Sequence, residues 1–201
     1  MKEIERKFLV KKDEFQRIKS SLFCFVIRQG YVVSNEDGVV RVRSKFGQNY
    51  LCVKGKNIGI TRDEYEIAVP ELVGKDLFGL CGTVIEKRRY RYPIIPSGKE
   101  WEIDEFLDKE LDGLILAEIE LSSEDEKFEI PYFIGDEVSD NPEYYSSSIV
   151  KKLESERYKK YRTDLSKCPG CGGPADNGHD RCDPPSPYYC TKCMREHELD
   201  A

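Results

Sequence analysis

The sequence predicts an α+β fold, a closed eight-stranded antiparallel β tunnel with flanking helices, followed by a small cysteine-rich C-terminal unit. Eight segments alternate apolar with polar residues at the spacing of β-strands, and in most of them the polar face is charged. Short turns separate the segments, which is typical of an antiparallel meander. Five of the eight cysteines lie within residues 168–193, whereas Cys24, Cys52 and Cys81 stand alone.

The predicted strands are interrupted by a few short helices. Strands are predicted over residues 1–10, 22–33, 39–43, 49–57, 61–67, 83–95, 100–106 and 114–121. Helices are predicted over residues 13–22, 70–81 and 145–161, where apolar residues recur at helical spacing. Asp13 can cap the first helix, and Pro70 can begin the second. We expect the apolar strand faces to pack outwards against these helices, which leaves the charged faces inside the barrel.

The charged residues are segregated by strand. Side chains alternate across a strand, so Glu3, Glu5 and Lys7 leave one face together. Pairs of arginines and pairs of glutamates repeat this pattern in later strands. Any one charged face is more often exposed to solvent, but repetition through the whole chain favours a shared interior. Carboxylate pairs bind divalent cations and basic pairs bind phosphate oxygens, so such a tunnel suits a polyanion bound with Mg²⁺ or Mn²⁺.

Composition limits the classes of function that fit the chain. Aromatic residues make up 11% of the 201 residues, more than is typical of a disordered chain. The net charge is −6 and no domain is basic, so nucleic-acid binding is not expected. There is no apolar run of about 18 residues and no signal-peptide pattern. We therefore expect a cytoplasmic protein that does not contact a membrane.

The charged pairs occur in the order of the motifs of a known family. Glu3-x-Glu5-x-Lys7 resembles the ExExK signature of the CYTH superfamily, also called the triphosphate tunnel metalloenzymes. The later matches are Arg28-Gln29-Gly30-Tyr31, Arg41-x-Arg43, Lys54, Glu64-x-Glu66, Glu86-Lys87-x-Arg89-Tyr90, Glu102-x-Asp104-x-Phe106, Glu118-x-Glu120 and Glu137-Val138-Ser139-x-Asn141-Pro142-x-Tyr144. The resemblance covers roughly residues 1–160, and the chain looks most similar to compact bacterial members, which hydrolyse inorganic triphosphate.

The resemblance implies a metal-dependent attack on a terminal phosphoryl group inside a tunnel of eight antiparallel strands. The implied ligands of Mg²⁺ or Mn²⁺ are Glu3, Glu5, Asp104, Glu118 and Glu120. The implied phosphate-binding residues are Lys7, Arg41, Arg43, Lys54, Lys87 and Arg89, with Glu64 and Glu66 in support. The alternatives to an inorganic triphosphatase are a nucleotide or thiamine triphosphatase, an adenylate cyclase, or a non-catalytic module that binds polyphosphate or nucleotide. No aromatic pair for stacking a base stands out, which favours the inorganic substrate.

Tyr31 and Lys7 are the implied catalytic pair, in which the phenol accepts the proton of the attacking water. Tyrosine ordinarily has a pKa of about 10, so this role predicts an alkaline pH optimum. Arg28 lies three residues before Tyr31, and regular alternation places the two on opposite faces unless Gly30 marks a β-bulge. We expect Tyr31 to point into the tunnel.

The C-terminal tail carries two Cys-x-x-Cys pairs that are separated by 18 residues. This spacing predicts a structural Zn²⁺ site, a zinc ribbon over residues 168–201 with the ligands Cys168, Cys171, Cys190 and Cys193. Residues 1–161 then form the tunnel domain, and residues 162–167 form a linker. Three further residues are expected to be bystanders of the zinc site, namely His179, Cys182 and His197.

The charge of the tail bears on its partner. From Ser166 onwards it has four lysines and arginines against six aspartates and glutamates, which is a poor surface for a phosphate backbone. We expect the ribbon to contact a protein or to stabilise the chain. Many members of the family are dimers, so the resemblance leaves a homodimer open without identifying a surface for it.

Overall fold

An antiparallel β-sheet dominates the residues described by the computed structural model, which are 2–95 and 97–164. Its nine strands are β1 (Lys2–Val10), β2 (Phe23–Ser34), β3 (Gly38–Lys45), β4 (Gln48–Gly55), β5 (Thr61–Val69), β6 (Val84–Ile94), β7 (Lys99–Phe106), β8 (Ile115–Glu120) and β9 (Ile134–Glu137). Neighbouring strands follow the order β5-β4-β3-β2-β6-β7-β8-β1-β9. Most strands therefore pair with the next strand in the chain, as expected of a meander with short turns.

The first strand closes the sheet into a barrel. Lys2–Ile4 of β1 pair with β5, at the far end of the strand order, while Glu5–Leu9 pair with β8. Strands β1 to β8 therefore form the closed eight-stranded antiparallel barrel that the sequence predicts. Phe8 and Val10, near the end of β1, pair with β9. Periodicity does not predict β9, because Ile134 is the only large apolar residue among its four residues.

Helices form in all three segments in which the sequence predicts them. Within the described residues they are α1 (Lys12–Gln16), α2 (Glu71–Gly79) and α3 (Ser146–Asp164). The predicted helix over 13–22 is wrong beyond Gln16, because a 3₁₀ turn at Lys19–Ser21 replaces its second half. The Ser21 hydroxyl donates to the backbone carbonyl of Ile18 at 2.7 Å, a local bond that competes with α-helix.

The apolar faces of β1, β6, β7 and β8 pack beneath helices and loops. Trp101 is fully buried, and its ring meets that of Phe8 edge to face with centroids 5.3 Å apart. Phe15 of α1 packs in the same manner on Tyr90, at 5.2 Å. Burying one such side chain contributes about 1.5–3 kcal/mol, so this cluster gives the adjoining wall of the barrel a rigid support.

The outer face of β4 and β5 is not covered in this way. Val53, Tyr65 and Ile67 are 43%, 63% and 60% exposed. The expectation that helices cover all apolar strand faces is therefore wrong on this side of the barrel. The short helix α2 contacts β2, β3 and β4, where Val42 is fully buried.

Residues 1–154 belong to one compact unit. Helix α3 runs to Asp164, into the predicted linker at 162–167. The expected zinc ligands and bystanders lie outside the described residues, so the zinc ribbon and the domain boundaries stay predictions. In the described part of the chain, no helix has the length and the apolar character needed to cross a membrane.

Candidate active site

Strand alternation turns charged side chains towards the interior of the barrel. Charged groups are rarely buried unless they are paired or bind an ion, so a buried set of them indicates a site. Among the described residues, the buried polar side chains are Lys7, Gln29, Arg41, Lys54, Lys87, Arg89 and Asp104. All but Gln29 are residues that the sequence proposes for the site.

One ion network joins strands β1, β6, β7 and β8. The Lys7 ammonium lies 2.6 Å from a Glu118 oxygen and 3.5 Å from a Glu5 oxygen. The Arg89 guanidinium donates from Nε and Nη2 to the two oxygens of Asp104, at 2.7 and 2.6 Å, and also reaches Glu118 at 3.3 Å. Lys87 donates to Asp104 at 2.5 Å. Acids and bases that are far apart in sequence are thus within contact distance.

A second network lies on the wall formed by β3, β4 and β5. Lys54 bridges two carboxylates, with Nζ 3.0 Å from Glu3 and 2.7 Å from Glu64. Arg62 donates from Nε to the other oxygen of Glu3 at 2.6 Å. Arg43 pairs with Glu66 at 2.6 Å. The predicted supporting residues therefore hold the bases in place.

The partners keep most of these buried groups charged. Burial disfavours the ammonium of Lys7, but the carboxylates of Glu118 and Glu5 raise its pKa above the ordinary value. Burial likewise opposes ionisation of Glu118, but Lys7, Lys87 and Arg89 hold its pKa well below the ordinary value. The interior of the barrel is therefore a charged surface at neutral pH.

Glu120 differs from the other carboxylates. Burial, together with the charges of Glu3, Glu102, Glu5 and Glu64, raises its pKa. Carboxylates that repel one another in this way are neutralised by a bound cation, and oxygen ligands are those that Mg²⁺ and Mn²⁺ prefer. The carboxylates around Glu120 are of the type that a hard divalent cation prefers, but in the described part of the chain the three possible ligand atoms that lie within 4.8 Å of one another belong to Cys52, Glu64 and Glu66.

Tyr31 lines the interior, and Arg28 does not. Tyr31 is paired with Arg41 across β2 and β3, whereas the Arg28 guanidinium lies outside, 4.9 Å from the ring centroid of Phe78. Regular alternation holds through Gly30, and the register shifts only between Tyr31 and Val33. Gly30 is needed for another reason, because a Cβ there would lie 2.7 Å from the Cys81 sulfur.

The phenol of Tyr31 is held by a neighbour on its own strand. Gln29, two residues earlier and therefore on the same face, donates from Nε2 to the Tyr31 hydroxyl at 2.8 Å. Burial raises the pKa of Tyr31. The charges of Arg41 and Lys7 and a hydrogen bond with Ser146 act in the opposite direction but do not outweigh burial. The phenol is therefore protonated at neutral pH.

A cavity of about 380 Å³ opens at one end of the barrel, beside the β2–β3 turn and the β4–β5 loop. A cavity of this size is large enough for a small-molecule ligand. Its lining includes Glu5, Lys7, Lys87 and Glu118 of the first network, Lys54 and Arg62 of the second, and Tyr31 with Arg41. Both halves of the predicted site therefore face one space.

Several lining residues are missing from the set proposed from sequence. Gln29, Arg62 and Glu102 all lie on inward faces, where Arg62 binds Glu3 and Glu102 pairs with Arg89. Each stands two residues from a proposed site residue, so strand alternation alone could have found them. Cys52 also lies on this lining, donates to Glu64 at 2.9 Å, and has a pKa raised to about 11, chiefly by burial. Nothing in the local sequence distinguishes Cys52 from an ordinary core cysteine.

The chain forms a closed antiparallel barrel, and paired acids and bases line the interior. It is therefore a β-tunnel protein with a polar interior. The model of the CYTH domain matches residues 1–153. An inorganic triphosphatase of Acetivibrio thermocellus is 42% identical over 152 residues, which cover 75% of this chain and 94% of that protein. One of Nitrosomonas europaea is 32% identical over 157 residues, which cover 76% of this chain and 99% of that protein.

A solved structure agrees with these similarities. The crystal structure of an inorganic triphosphatase superposes with a TM-score of 0.52 at 30% identity, and the match covers 74% of this chain and 93% of that one. The chain belongs to the CYTH domain family.

Proposed function

We propose that the chain hydrolyses inorganic triphosphate to diphosphate and phosphate in its tunnel, with Mg²⁺ or Mn²⁺ as cofactor. The observation that carries the proposal is the pairing of buried bases with carboxylates inside the barrel, in which Lys7 lies 2.6 Å from Glu118 and Arg89 lies 2.6 Å from Asp104. A tunnel that binds only an anion has little use for clustered acids. Two relatives at 42% and 32% identity are inorganic triphosphatases, which supports this substrate.

The bases of the tunnel would bind the phosphate chain. Lys7, Lys54 and Lys87 present ammonium groups, and Arg41, Arg43 and Arg89 present guanidinium groups that match phosphate oxygens. In the structure these bases are paired with tunnel acids, at distances that reach 3.8 Å for Arg41 with Glu64. A phosphate chain would compete for the bases, and each exchange of partner releases a carboxylate.

The released carboxylates would hold the metal. The proposed ligands are Glu3, Glu5, Asp104, Glu118 and Glu120, whose carboxylate oxygens are the donors that Mg²⁺ and Mn²⁺ prefer. The charges of Glu3 and Glu5 act on Glu120, whereas Asp104 and Glu118 are ion-paired with tunnel bases in this structure. When bound, such a cation neutralises charge on the phosphoryl oxygens and lowers the pKa of a bound water. Phosphoryl transfer needs this neutralisation and in-line positioning more than covalent help, and the tunnel walls supply both.

Tyr31, next to Lys7 on the cavity wall, would accept the proton of the attacking water. Burial raises the pKa of the phenol, so the role requires the cations Arg41 and Lys7 nearby and favours alkaline pH. Replacing Tyr31 by phenylalanine removes the acceptor. An activity optimum below neutrality in the unaltered protein would contradict this role.

The test is phosphate release from a panel of inorganic triphosphate, diphosphate, ATP and thiamine triphosphate with Mg²⁺ or Mn²⁺. Glu5→Gln should lower kcat by at least roughly 100-fold, because loss of a ligand costs more than loss of a group that only orients one. Glu14→Gln, in an exposed pair with Arg17, is the matched control and should act like the unaltered protein. Tight binding without turnover of any substrate would instead support a non-catalytic binding module.

A further inference from the structure

Three phenylalanines cluster at the end of the barrel opposite the cavity. Phe23 and Phe25 begin β2, and Phe46 lies in the turn between β3 and β4. The ring centroids of Phe25 and Phe46 are 4.3 Å apart, and those of Phe23 and Phe25 are 5.9 Å apart. Phe23 and Phe46 are 59% and 66% exposed, so the rings present apolar faces to solvent. We call Phe23, Phe25 and Phe46 the aromatic rim.

The aromatic rim continues the basic lining of the tunnel. Phe23 and Phe25 lie on the same face of β2 as the inward Gln29, because side chains two residues apart share a face, and Phe25 stands directly opposite the proposed phosphate-binding Arg89 on β6. Residues opposite each other on paired strands have Cβ atoms about 4.5–5.5 Å apart. The Arg91 guanidinium lies 5.5 Å from the ring centroid of Phe25. A phosphate chain bound at Arg89 therefore ends close to an aromatic surface.

The turn that presents Phe46 is unfavourable for phenylalanine. Phe46 has φ 52° and Gly47 has φ 73°, in a two-residue turn that joins the paired Lys45 and Gln48. Such hairpin turns favour Asn-Gly, because asparagine tolerates positive φ and bulky side chains do not. Phe46 is the only non-glycine residue with positive φ in the described part of the chain. Strain kept at an exposed position indicates that the side chain itself is used.

We propose that the aromatic rim stacks the base of a nucleoside triphosphate whose phosphates lie among the tunnel bases. Aromatic side chains bind bases through their faces, with little dependence on base identity, and the neighbouring Arg91 adds a cation. The inference deepens the proposed function and rests on it for the phosphate site. The sequence alone does not single out this cluster, because Phe46 joins Phe23 and Phe25 of β2 only when β3 pairs with β2.

Phe46→Asn tests the proposal without depending on an unstable variant. Asparagine suits the turn, so the variant should melt at a higher temperature than the unaltered protein. Calorimetric titration of the full chain without metal would compare ATP with inorganic triphosphate. We expect Phe46→Asn to weaken ATP binding about tenfold and to leave inorganic triphosphate binding unchanged. Tyr65→Ala, which removes an exposed aromatic ring from the outer face of β5, is the control and should change neither.

A second readout is the fluorescence of Phe46→Trp. ATP should quench or shift the new emission, and inorganic triphosphate should not. Equal effects of Phe46→Asn on both ligands would overturn the proposal. A change of oligomeric state by light scattering would also overturn it, because the rim would then be a contact between copies. If no substrate is hydrolysed but ATP binding depends on Phe46, the proposed activity fails and the rim inference holds. If inorganic triphosphate is hydrolysed but ATP binding does not depend on Phe46, the proposed activity holds and the rim inference fails.

Discussion

Arg89→Lys separates the geometry of the buried ion network from its charge. Lysine keeps the positive charge but cannot donate to both oxygens of Asp104, which Arg89 contacts at 2.7 and 2.6 Å. A hydrogen bond to a charged group contributes about 1.5–3 kcal/mol, and the contacts of Arg89 with Glu118 and Glu102 weaken as well. We therefore expect a loss of about 3 kcal/mol in the free energy of unfolding, or about 6–12 °C in Tm.

The measurement is thermal unfolding of the metal-free protein by circular dichroism. Arg88→Lys is the matched control. Arg88 directly precedes Arg89, its side chain is 41% exposed, and its guanidinium lies as far as 3.9 Å from its partner Glu105. An exposed pair of this kind contributes little, so we expect Arg88→Lys to melt within about 2 °C of the unaltered protein. Equal melting temperatures for both variants would refute the reasoning that the Arg89 fork stabilises the tunnel.

Three further predictions concern single contacts of the lining. Gln29→Leu removes the donor to the Tyr31 hydroxyl. This loss favours the neutral phenol, so kcat should fall about tenfold and the ascending limb of its pH profile should move to higher pH. An unchanged profile would exclude a positioning role. Gly30→Ala should cost about 1–3 kcal/mol, because its Cβ would lie 2.7 Å from the Cys81 sulfur, and a second change, Cys81→Ala, should restore part of the loss of Tm. Iodoacetamide should alkylate exposed Cys24 at pH 8 while Cys52, with a pKa of about 11, reacts only as the pH rises towards that value, as peptide mass spectrometry can show.

Local sequence patterns were enough to predict many of the residues that line the interior of the barrel. Glu3, Glu5 and Lys7 share a face because side chains alternate along a strand, and the same rule places Arg41 beside Arg43 on the lining. Alternation also separates Tyr31 from Arg28 across β2. What the pattern could not supply is the partner of each group, since Lys54 meets Glu3 across 51 positions of the chain.

Errors arose where packing overrides the local pattern. The alternating apolar residues of β5 predict a covered face, but Tyr65 and Ile67 are largely exposed, because α2 lies over β2, β3 and β4. The helix expected after Asp13 stops at Gln16 in favour of a 3₁₀ turn. The strand β9 has too few apolar residues to be visible in the sequence, and it forms because β1 offers it an edge.

By itself, the sequence determined the eight strands of the barrel, which side of most of them is charged, and which family motifs follow in order. These are properties of neighbouring residues, and the period of two along a strand is enough to express them. Only the tertiary structure decided that Lys54 meets Glu3 and that Phe46 meets Phe23 and Phe25 at one end of the barrel. The physical reason is strand pairing: β1 closes the barrel on β5 and so brings Glu3 to Lys54, and β2 pairs with β3 and so brings Phe46 to the two phenylalanines of β2.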